Sequence, residues 1–169
     1  CGLICPDKFC MQACTRAGID FPINIPRVQA TILEKYRTAE SAAHPKLPAN
    51  GKKVAVIGAG PAGIAATAEL SRLGYRITLF ESFEKIGGAL NLIPDKRLPF
   101  EVIAKDWSFI DDPDMIELRL NTPVNNPAAL LEQDFDGVIV ATGEPEGINL
   151  GIDGEEHAVS YLDYLRHPE

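Results

Sequence analysis

The sequence predicts an α/β fold built on a parallel sheet, and three observations support this prediction. Residues 53–57 (KVAVI) form a short apolar run rich in β-branched residues, as in a strand buried on both faces. Residues 58–63 (GAGPAG) follow with the spacing G-x-G-x-x-G, and residues 64–73 have helical periodicity. A second strand, residues 75–80, is followed by Glu81. This order indicates a Rossmann-like, three-layer fold that binds a dinucleotide.

The three glycines of this motif have separate roles in a dinucleotide site: a tight turn, close approach of the backbone to a pyrophosphate, and close contact between helix and strand. The pyrophosphate would lie at the helix N-terminus, where unpaired N–H groups and the helix dipole favour negative charge. Glu81 follows at the distance where an acid accepts hydrogen bonds from an adenosine ribose. A glycine-rich turn that binds nothing is the alternative, but it does not explain this acid.

Length and composition predict one full domain with a small accessory segment. The chain has 169 residues, of which 46% are hydrophobic and 24% charged, as in ordinary globular proteins. Its net charge of −8 argues against a nucleic-acid partner. No apolar run approaches the roughly 18 residues of a membrane span. No signal peptide is recognisable, but the chain begins at Cys1, so we expect it to be part of a longer protein.

The cysteines are confined to the first fourteen residues, as Cys1, Cys5, Cys10 and Cys14. Such clustering indicates a local metal or cluster site in a reducing, cytoplasmic compartment rather than a disulfide framework. The spacing C-x3-C-x4-C-x3-C beside Pro6 is closer to iron–sulfur ligation than to the usual zinc spacings. Zinc and unligated thiols stay open as alternatives. The spacing alone does not show whether all four thiols hold one cluster.

Residues 1–45 are predicted to form a small α-helical segment. Pro26 suits the first turn of a helix over residues 27–42. The apolar face of this helix is predicted to be core and consists of Val28, Ile32, Leu33 and Tyr36. Residues 44–51 (HPKLPANG) contain two prolines and no periodic pattern, which predicts a linker to a Rossmann-like domain over residues 52–169.

Beyond Glu81 the pattern continues as alternating helices and strands. The Gly87-Gly88 pair indicates either a flexible loop or a second close approach of backbone to a bulky cofactor. Pro99 can open a helix whose Trp107 is predicted to lie in the core. Further strands are predicted at residues 115–120 and 138–141, and short helices at residues 127–131 and 161–166.

Six motifs in order resemble the flavin- and NADPH-binding region shared by dihydropyrimidine dehydrogenase and the small subunit of bacterial glutamate synthase. They are CGLICP…C…C, PINI…Q, VAVIGAGPAG, E-x5-GG, IPDKRLP and VATG, and together they cover nearly the whole chain. Within this pair of families, residues 93–99 and Gln29 look more like dihydropyrimidine dehydrogenase.

The resemblance implies that the glycine motif binds FAD, whereas NADPH is bound by a domain outside this chain. The implied FAD contacts are Gly58, Ala59, Gly60, Pro61, Ala62, Gly63, Glu81, Ser82, Gly87, Gly88, Ala89, Arg97, Val124, Ala141, Thr142 and Gly143. It also implies ligands to two [4Fe-4S] clusters: Cys5, Cys10 and Gln29 for one cluster and Cys14 for the other, completed by cysteines upstream. Cys1 has no counterpart in this pattern.

The function implied by the resemblance is that of an NAD(P)H-dependent oxidoreductase, which passes electrons from NADPH through FAD and [4Fe-4S] clusters to a partner or substrate domain. Other domains or subunits are the expected partners. No acid–base catalyst is predicted, because His44, His157 and His167 have no partners at motif spacing. The chain has no second G-x-G-x-x-G and lacks the last FAD-binding stretch of the families, so it resembles the first part of a split FAD domain, inactive alone. The alternatives are a non-enzymatic electron-relay or docking module and an NAD(P)-binding domain with a zinc-bound N-terminus.

Overall fold

The fold is centred on a parallel sheet. A computed structural model describes residues 4–5, 9–36, 46–144 and 150–166. The strands are β1 (Lys53–Ile57), β2 (Arg76–Phe80), β3 (Ile116–Arg119) and β4 (Gly137–Val140). Their order is β3-β2-β1-β4, and every neighbouring pair is parallel. The predicted α/β class with a parallel sheet is therefore confirmed.

Helices connect and flank these strands in the described residues. The α-helices are α1 (Phe9–Gln12), α2 (Ile25–Tyr36), α3 (Pro61–Arg72), α4 (Phe100–Ser108) and α5 (Tyr161–Arg166). Short 3-10 helices lie at Thr15–Gly18, Gly88–Leu92, Pro127–Glu132 and Glu155–His157. None of these helices is both long and apolar enough to span a membrane.

The core has one layer on each face of the sheet, because β1 is buried on both sides. Val54 and Val56 belong to a first cluster, which includes Ile103 and Trp107 of α4. Ala55 and Ile57 belong to a second cluster. The second cluster also contains Phe80, Leu130 and, at its margin, Phe135. The continuous apolar run of β1 thus has the three-layer environment that it predicts, and Trp107 is in the core as expected.

Helix α3 packs closely on the sheet through small residues. Its buried positions are Gly63, Thr67 and Ser71, which recur every four residues and share one face. Its partly buried Ile64 and Leu70 pack against the first cluster. This close packing brings the beginning of α3 to the carboxyl end of β1.

The register sets the strand ends level at one edge of the sheet. Ile57 is paired with Phe80 of β2 and with Val140 of β4, and Phe80 is paired with Arg119 of β3. The residues that follow these four positions therefore meet at the carboxyl edge, where parallel α/β sheets bind their ligands.

The segment predicted as a linker is attached to the domain where it is described. The Leu47 N–H donates to the carbonyl of Arg72, at 2.8 Å, and so satisfies one of the last carbonyls of α3. The Asn50 N–H donates to the carbonyl of Gly74, at 2.9 Å. Lys46 forms an ion pair with Asp112, at 2.6 Å. The boundaries 1–45 and 52–169 stay predictions.

The prediction that the apolar face of α2 is core was wrong, and one of the predicted strands lies at the edge of the sheet. The apolar face of α2 is not core among the described residues, because Val28, Ile32 and Leu33 are 48%, 51% and 41% exposed. Residues 37–42 of the predicted helix and the side chain of Tyr36 lie outside the described residues. The strand predicted at residues 138–141 is only partly buried, and Val140 is 58% exposed, because β4 is the edge strand of the described sheet.

Candidate dinucleotide-binding site

The glycine turn, residues 58–63, leaves the end of β1 between the two neighbouring strands. The Gly58 N–H donates to the carbonyl of Phe80, at 2.7 Å, and the Ala141 N–H donates to the carbonyl of Ile57, at 2.8 Å. A Cβ at Gly58 would overlap the carbonyl of Ala141, and a Cβ at Gly63 would overlap the carbonyl of Gly58. These two glycines are therefore required by close approach of protein backbone.

Gly60 differs from both, because no atom of the described residues would overlap a Cβ there. The nearest atom to an added Cβ would be the Cα of Gly88, at 3.8 Å, an ordinary van der Waals contact. Gly60 is the N-cap of α3, the helix has no capping side chain, and Pro61 follows in its first turn. The N–H groups of a first helical turn have no intrahelical partner. The space at Gly60 is therefore open to an anion.

Glu81 lies at the end of β2 with 5% of its surface exposed. Its Oε2 accepts a hydrogen bond from the Ala59 N–H at 2.8 Å. Its Oε1 accepts hydrogen bonds from the Phe83 N–H at 3.0 Å and from the Ser82 hydroxyl at 3.1 Å. The carboxylate is thus fixed beside the glycine turn, and Oε2, which accepts only one of these bonds, retains a lone pair for a ligand hydroxyl.

The Gly87-Gly88 pair packs against the glycine turn. The Gly87 N–H donates to the carbonyl of Ala59 at 2.8 Å. Both glycines have positive φ, 116° and 52°, and a Cβ at Gly88 would lie only 2.8 Å from the Cα of Gly60. The pair approaches protein backbone closely, and its predicted approach to a cofactor stays a prediction.

Asn91 is a contributor to this site that sequence reasoning missed. Its Nδ2 donates to the carbonyl of Ile86 at 3.0 Å, closing the turn around the glycine pair. Only its polarity, four residues after Gly87, gave any signal in the sequence.

The other predicted FAD contacts are distributed around the turn. Ala141 is half-buried beside Gly58, and Thr142 and Gly143 are exposed directly after it. Val124 packs against the second cluster. Arg97 is exposed, and its Nη2 donates to the carbonyl of Ile4 at 3.3 Å. The exposed residues Pro61, Ala62, Ser82 and Ala89 lie in the glycine turn or in the two loops beside it.

The predicted cluster ligands do not form a metal site on their own. Cys5, Cys10 and Gln29 are exposed, and Cys14 is half-buried. The pKa of the Cys14 thiol is lowered, first by a backbone hydrogen bond from Ile23 and then by one from Arg16. Across residues 4–5, 9–36, 46–144 and 150–166, no three His, Cys, Asp or Glu side chains are grouped to hold a metal ion. These ligands therefore stay predictions.

Several residues singled out in the sequence lie outside the described part of the chain. Cys1, His44 and His167 are among them. His157 is described and exposed, with its Nε2 3.5 Å from a carboxylate oxygen of Glu156.

The residues of the glycine turn fit a dinucleotide. A Cβ at Gly60 would overlap no atom of the described residues, helix α3 begins there, and a buried carboxylate lies beside it. The donor set of the cysteines fits a thiolate-ligated metal in its chemistry, but the described residues do not gather it.

Comparisons with known proteins support the Rossmann-like fold. The family model described as NAD(P)-binding Rossmann-like domain matches residues 56–108. The NAD-dependent dihydropyrimidine dehydrogenase subunit PreT of Salmonella typhimurium is 34% identical over 172 residues, with 98% of this chain and 41% of that protein covered. The NADPH glutamate synthase small chain of Bacillus subtilis is 33% identical over 171 residues, covering 97% of this chain and 34% of that protein.

A solved structure of 2-naphthoyl-CoA reductase has the same fold, with a TM-score of 0.50 and 24% identity over 93% of this chain and 24% of that one. The chain spans less than half the length of the curated relatives named above. It is homologous, over nearly its whole length, to part of the dihydropyrimidine dehydrogenase subunit and of the glutamate synthase small chain, and its residues 56–108 match the model of NAD(P)-binding Rossmann-like domains.

Proposed function

We propose that the chain is part of an NAD(P)H-dependent flavin and iron–sulfur oxidoreductase, and that its glycine turn binds FAD. The observation on which this depends most is the open space at Gly60 beside a buried carboxylate, because no described protein atom lies closer than 3.8 Å to a Cβ placed there. Its relatives are NAD(P)-dependent oxidoreductase proteins, as their names state. The whole activity belongs to a protein longer than the stretch matched here.

The pyrophosphate half of the site is supported by the start of α3. A phosphate placed over Gly60 would lie at the N-terminus of a twelve-residue helix, whose dipole and unpaired N–H groups favour an anion. Any side chain at residue 60 would occupy that space. We therefore assign the diphosphate of the cofactor to this position.

The adenosine half of the site is supported by Glu81. A carboxylate at the end of β2 accepts hydrogen bonds from ribose hydroxyls, but it repels a 2′-phosphate. Glu117, another acid, is bonded to Arg119, whose guanidinium carbon also lies 5.5 Å from the centre of the Phe80 ring. The guanidinium of Arg119 is therefore already bonded to Glu117 and is not held toward a 2′-phosphate. The arrangement favours a dinucleotide with a free 2′-hydroxyl, which FAD and NAD have and NADP does not.

The chain's residues would bind and orient the cofactor rather than act as acids or bases. When bound, FAD supplies a ring that takes hydride from a nicotinamide and gives electrons up singly. Glu81 and the glycine turn would fix the adenosine and diphosphate, and Ala141, Thr142 and Gly143 would border the other side. We place NADPH on another domain of the protein and the terminal acceptor on a partner or substrate domain.

The cysteine segment is proposed to supply cluster ligands. Cys5, Cys10 and Gln29 would serve one [4Fe-4S] cluster and Cys14 a second, together with cysteines outside this chain. The low pKa of the Cys14 thiol supports this assignment, because the thiolate is the form that binds a metal. We expect the protein to be cytoplasmic, since thiols and clusters of this kind persist in reducing compartments.

A second candidate is a nicotinamide dinucleotide in the glycine turn itself. The description of the family model, an NAD(P)-binding domain, favours it. The zinc-bound N-terminus and the electron-relay module stay alternatives for the rest of the chain.

The test uses the full-length protein that carries this chain. We expect it to be yellow, to release about one FAD per glycine turn on denaturation, and to contain iron and acid-labile sulfide. After removal of the flavin, FAD should bind to the protein and NADP+ should not displace it. A colourless protein that binds NAD+ but not FAD at the glycine turn would contradict the proposal and support the second candidate.

A further inference from the structure

We propose that the glycine pair, Gly87-Gly88, is a positioning element for the glycine turn, and that it shapes the turn for a pyrophosphate before any ligand arrives. This inference rests on the proposed function, binding of FAD at the turn. It gives the pair a role in shaping protein backbone, which is separate from any direct contact with a cofactor.

The first observation is that the peptide groups of Ala59 are held from both sides. Its N–H donates to Glu81 Oε2 at 2.8 Å, and its carbonyl accepts a hydrogen bond from the Gly87 N–H at 2.8 Å. Ala59 itself is fully buried in the first cluster. The backbone that leads into Gly60 is therefore fixed by the acid at the end of β2 and by the glycine pair.

The second observation is the contact between Gly88 and Gly60. A Cβ at Gly88 would lie 2.8 Å from the Cα of Gly60 and 3.5 Å from its N, so an alanine there requires the turn to move. In the opposite direction there is room, because a Cβ at Gly60 would lie 3.8 Å from the Cα of Gly88. Close approach to the turn therefore requires glycine at residue 88, whereas glycine at residue 60 leaves space for the proposed ligand.

The third observation is that Asn91 fixes the shape of the pair. Its side chain closes the loop by donating to the carbonyl of Ile86 at 3.0 Å. Its amide group would be 3.0 Å from a Cβ at Gly87, so it lies directly against the pair. Asn91 can thus be changed to alter the pair without adding an atom to the turn.

The consequence concerns the diphosphate and not the adenosine. Displacement of Gly60 moves the N–H groups that would face the diphosphate and so weakens their hydrogen bonds to a charged group, which are stronger than bonds between neutral groups. The acid that would face the ribose stays in place, because Ser82 and Phe83 of its own loop hold it even if its bond to Ala59 is lost. Loss of affinity should therefore depend on whether the ligand carries a diphosphate.

The experiment measures FAD, ADP and adenosine binding to the full-length protein after removal of its flavin. Gly88→Ala should weaken FAD and ADP by about tenfold, the equivalent of one such bond, and change adenosine affinity by less than about twofold. Asn91→Ala should act in the same direction by about threefold. Gly137→Ala is the matched control, because a Cβ there meets no atom within 4 Å.

A readout without ligand separates positioning from direct contact with the cofactor. In the ligand-free protein, hydrogen exchange of the peptide covering residues 58–63 should be faster in Gly88→Ala than in Gly137→Ala. If Gly88 only contacts the cofactor, exchange will be equal in the two variants.

The outcomes are distinct. A wild-type protein that binds neither FAD nor ADP refutes the proposed function itself. Wild-type binding with unchanged ADP affinity in Gly88→Ala, or with an equal loss of adenosine, refutes positioning alone. If Gly88→Ala does not fold, Asn91→Ala decides by the same comparison of ADP with adenosine.

Discussion

At the scale of single residues, the glycine motif divides into two positions that protein backbone requires to be glycine and one that the protein leaves open. Gly58 and Gly63 face backbone carbonyls, whereas Gly60 faces open space. The motif in the sequence predicts three glycines with three roles, and it assigns the diphosphate to one of them. It does not show which protein atoms require the other two, because Ala141 comes from a distant part of the chain.

The first prediction compares Gly63→Ala with Gly60→Ala. We expect Gly63→Ala to lower the free energy of unfolding by roughly 3 kcal/mol, because its Cβ would overlap the Gly58 carbonyl. Gly60→Ala should cost below about 1 kcal/mol, the usual difference between these residues at an N-cap. Urea unfolding of both variants measures the two values. Equal losses would mean that the open space at Gly60 is not present in solution.

The second prediction concerns the hydrogen bonds of Glu81. Glu81→Ala leaves the buried Ala59 N–H without an acceptor and should destabilise the fold by about 1–3 kcal/mol. Glu81→Gln keeps one acceptor oxygen and should lie between this variant and the wild type. Thermal unfolding gives the order of stability of these variants. Glu84→Gln, in the exposed loop that follows β2, is the control. If both Glu81 variants unfold like the control, the carboxylate does not hold the turn.

At the scale of elements, local sequence patterns predicted the strands and α3. The spacing of apolar residues in each element indicates which of its faces is buried. The run at β1 is apolar on both faces, and both faces are covered. The helix α2 shows where this reasoning stops. Its pattern gives an apolar face but not a partner for it, and the described residues leave that face uncovered. Likewise, the composition of β4 does not distinguish an edge strand from a central one.

The third prediction tests the exposed face of α2. Ile32→Lys in this chain should change the free energy of unfolding by less than about 0.5 kcal/mol, because half of the side chain is already in water. Leu79→Ala, at a fully buried position of β2, should cost about 2–5 kcal/mol. Urea unfolding at two protein concentrations makes the comparison. A cost for Ile32→Lys near that of Leu79→Ala would show that the face is buried in solution.

At the scale of the whole molecule, the fold class and the position of the site were predictable, because a strand, a glycine turn, a helix and an acid follow one another within residues 53–81. The contact of Gly88 with Gly60 was not. The spacing of the glycine pair after Glu81 indicated a close approach, but the partner depends on how the chain turns after β2. The predicted cluster ligation by the cysteines would need further ligands that the described residues do not include.

The last prediction concerns how much of the cofactor site this chain holds. In the proposed site, Glu81 and the glycine turn would contact FAD from one side, while Val140 is 58% exposed and Thr142 and Gly143 are exposed beside it. The adenosine and diphosphate would thus have contacts, but the border after β4 faces water. We expect the chain alone to bind FAD with a Kd weaker than about 10 µM, equivalent to about 7 kcal/mol.

The same titration on the full-length protein, stripped of flavin, should give tight binding at one FAD per site. Isothermal calorimetry on both proteins supplies the comparison, and Gly60→Ala should abolish the heat in each because it fills the place of the diphosphate. Tight, stoichiometric binding by the chain alone would mean that the exposed border at Thr142 contributes little, and that residues 53–143 already form a complete site.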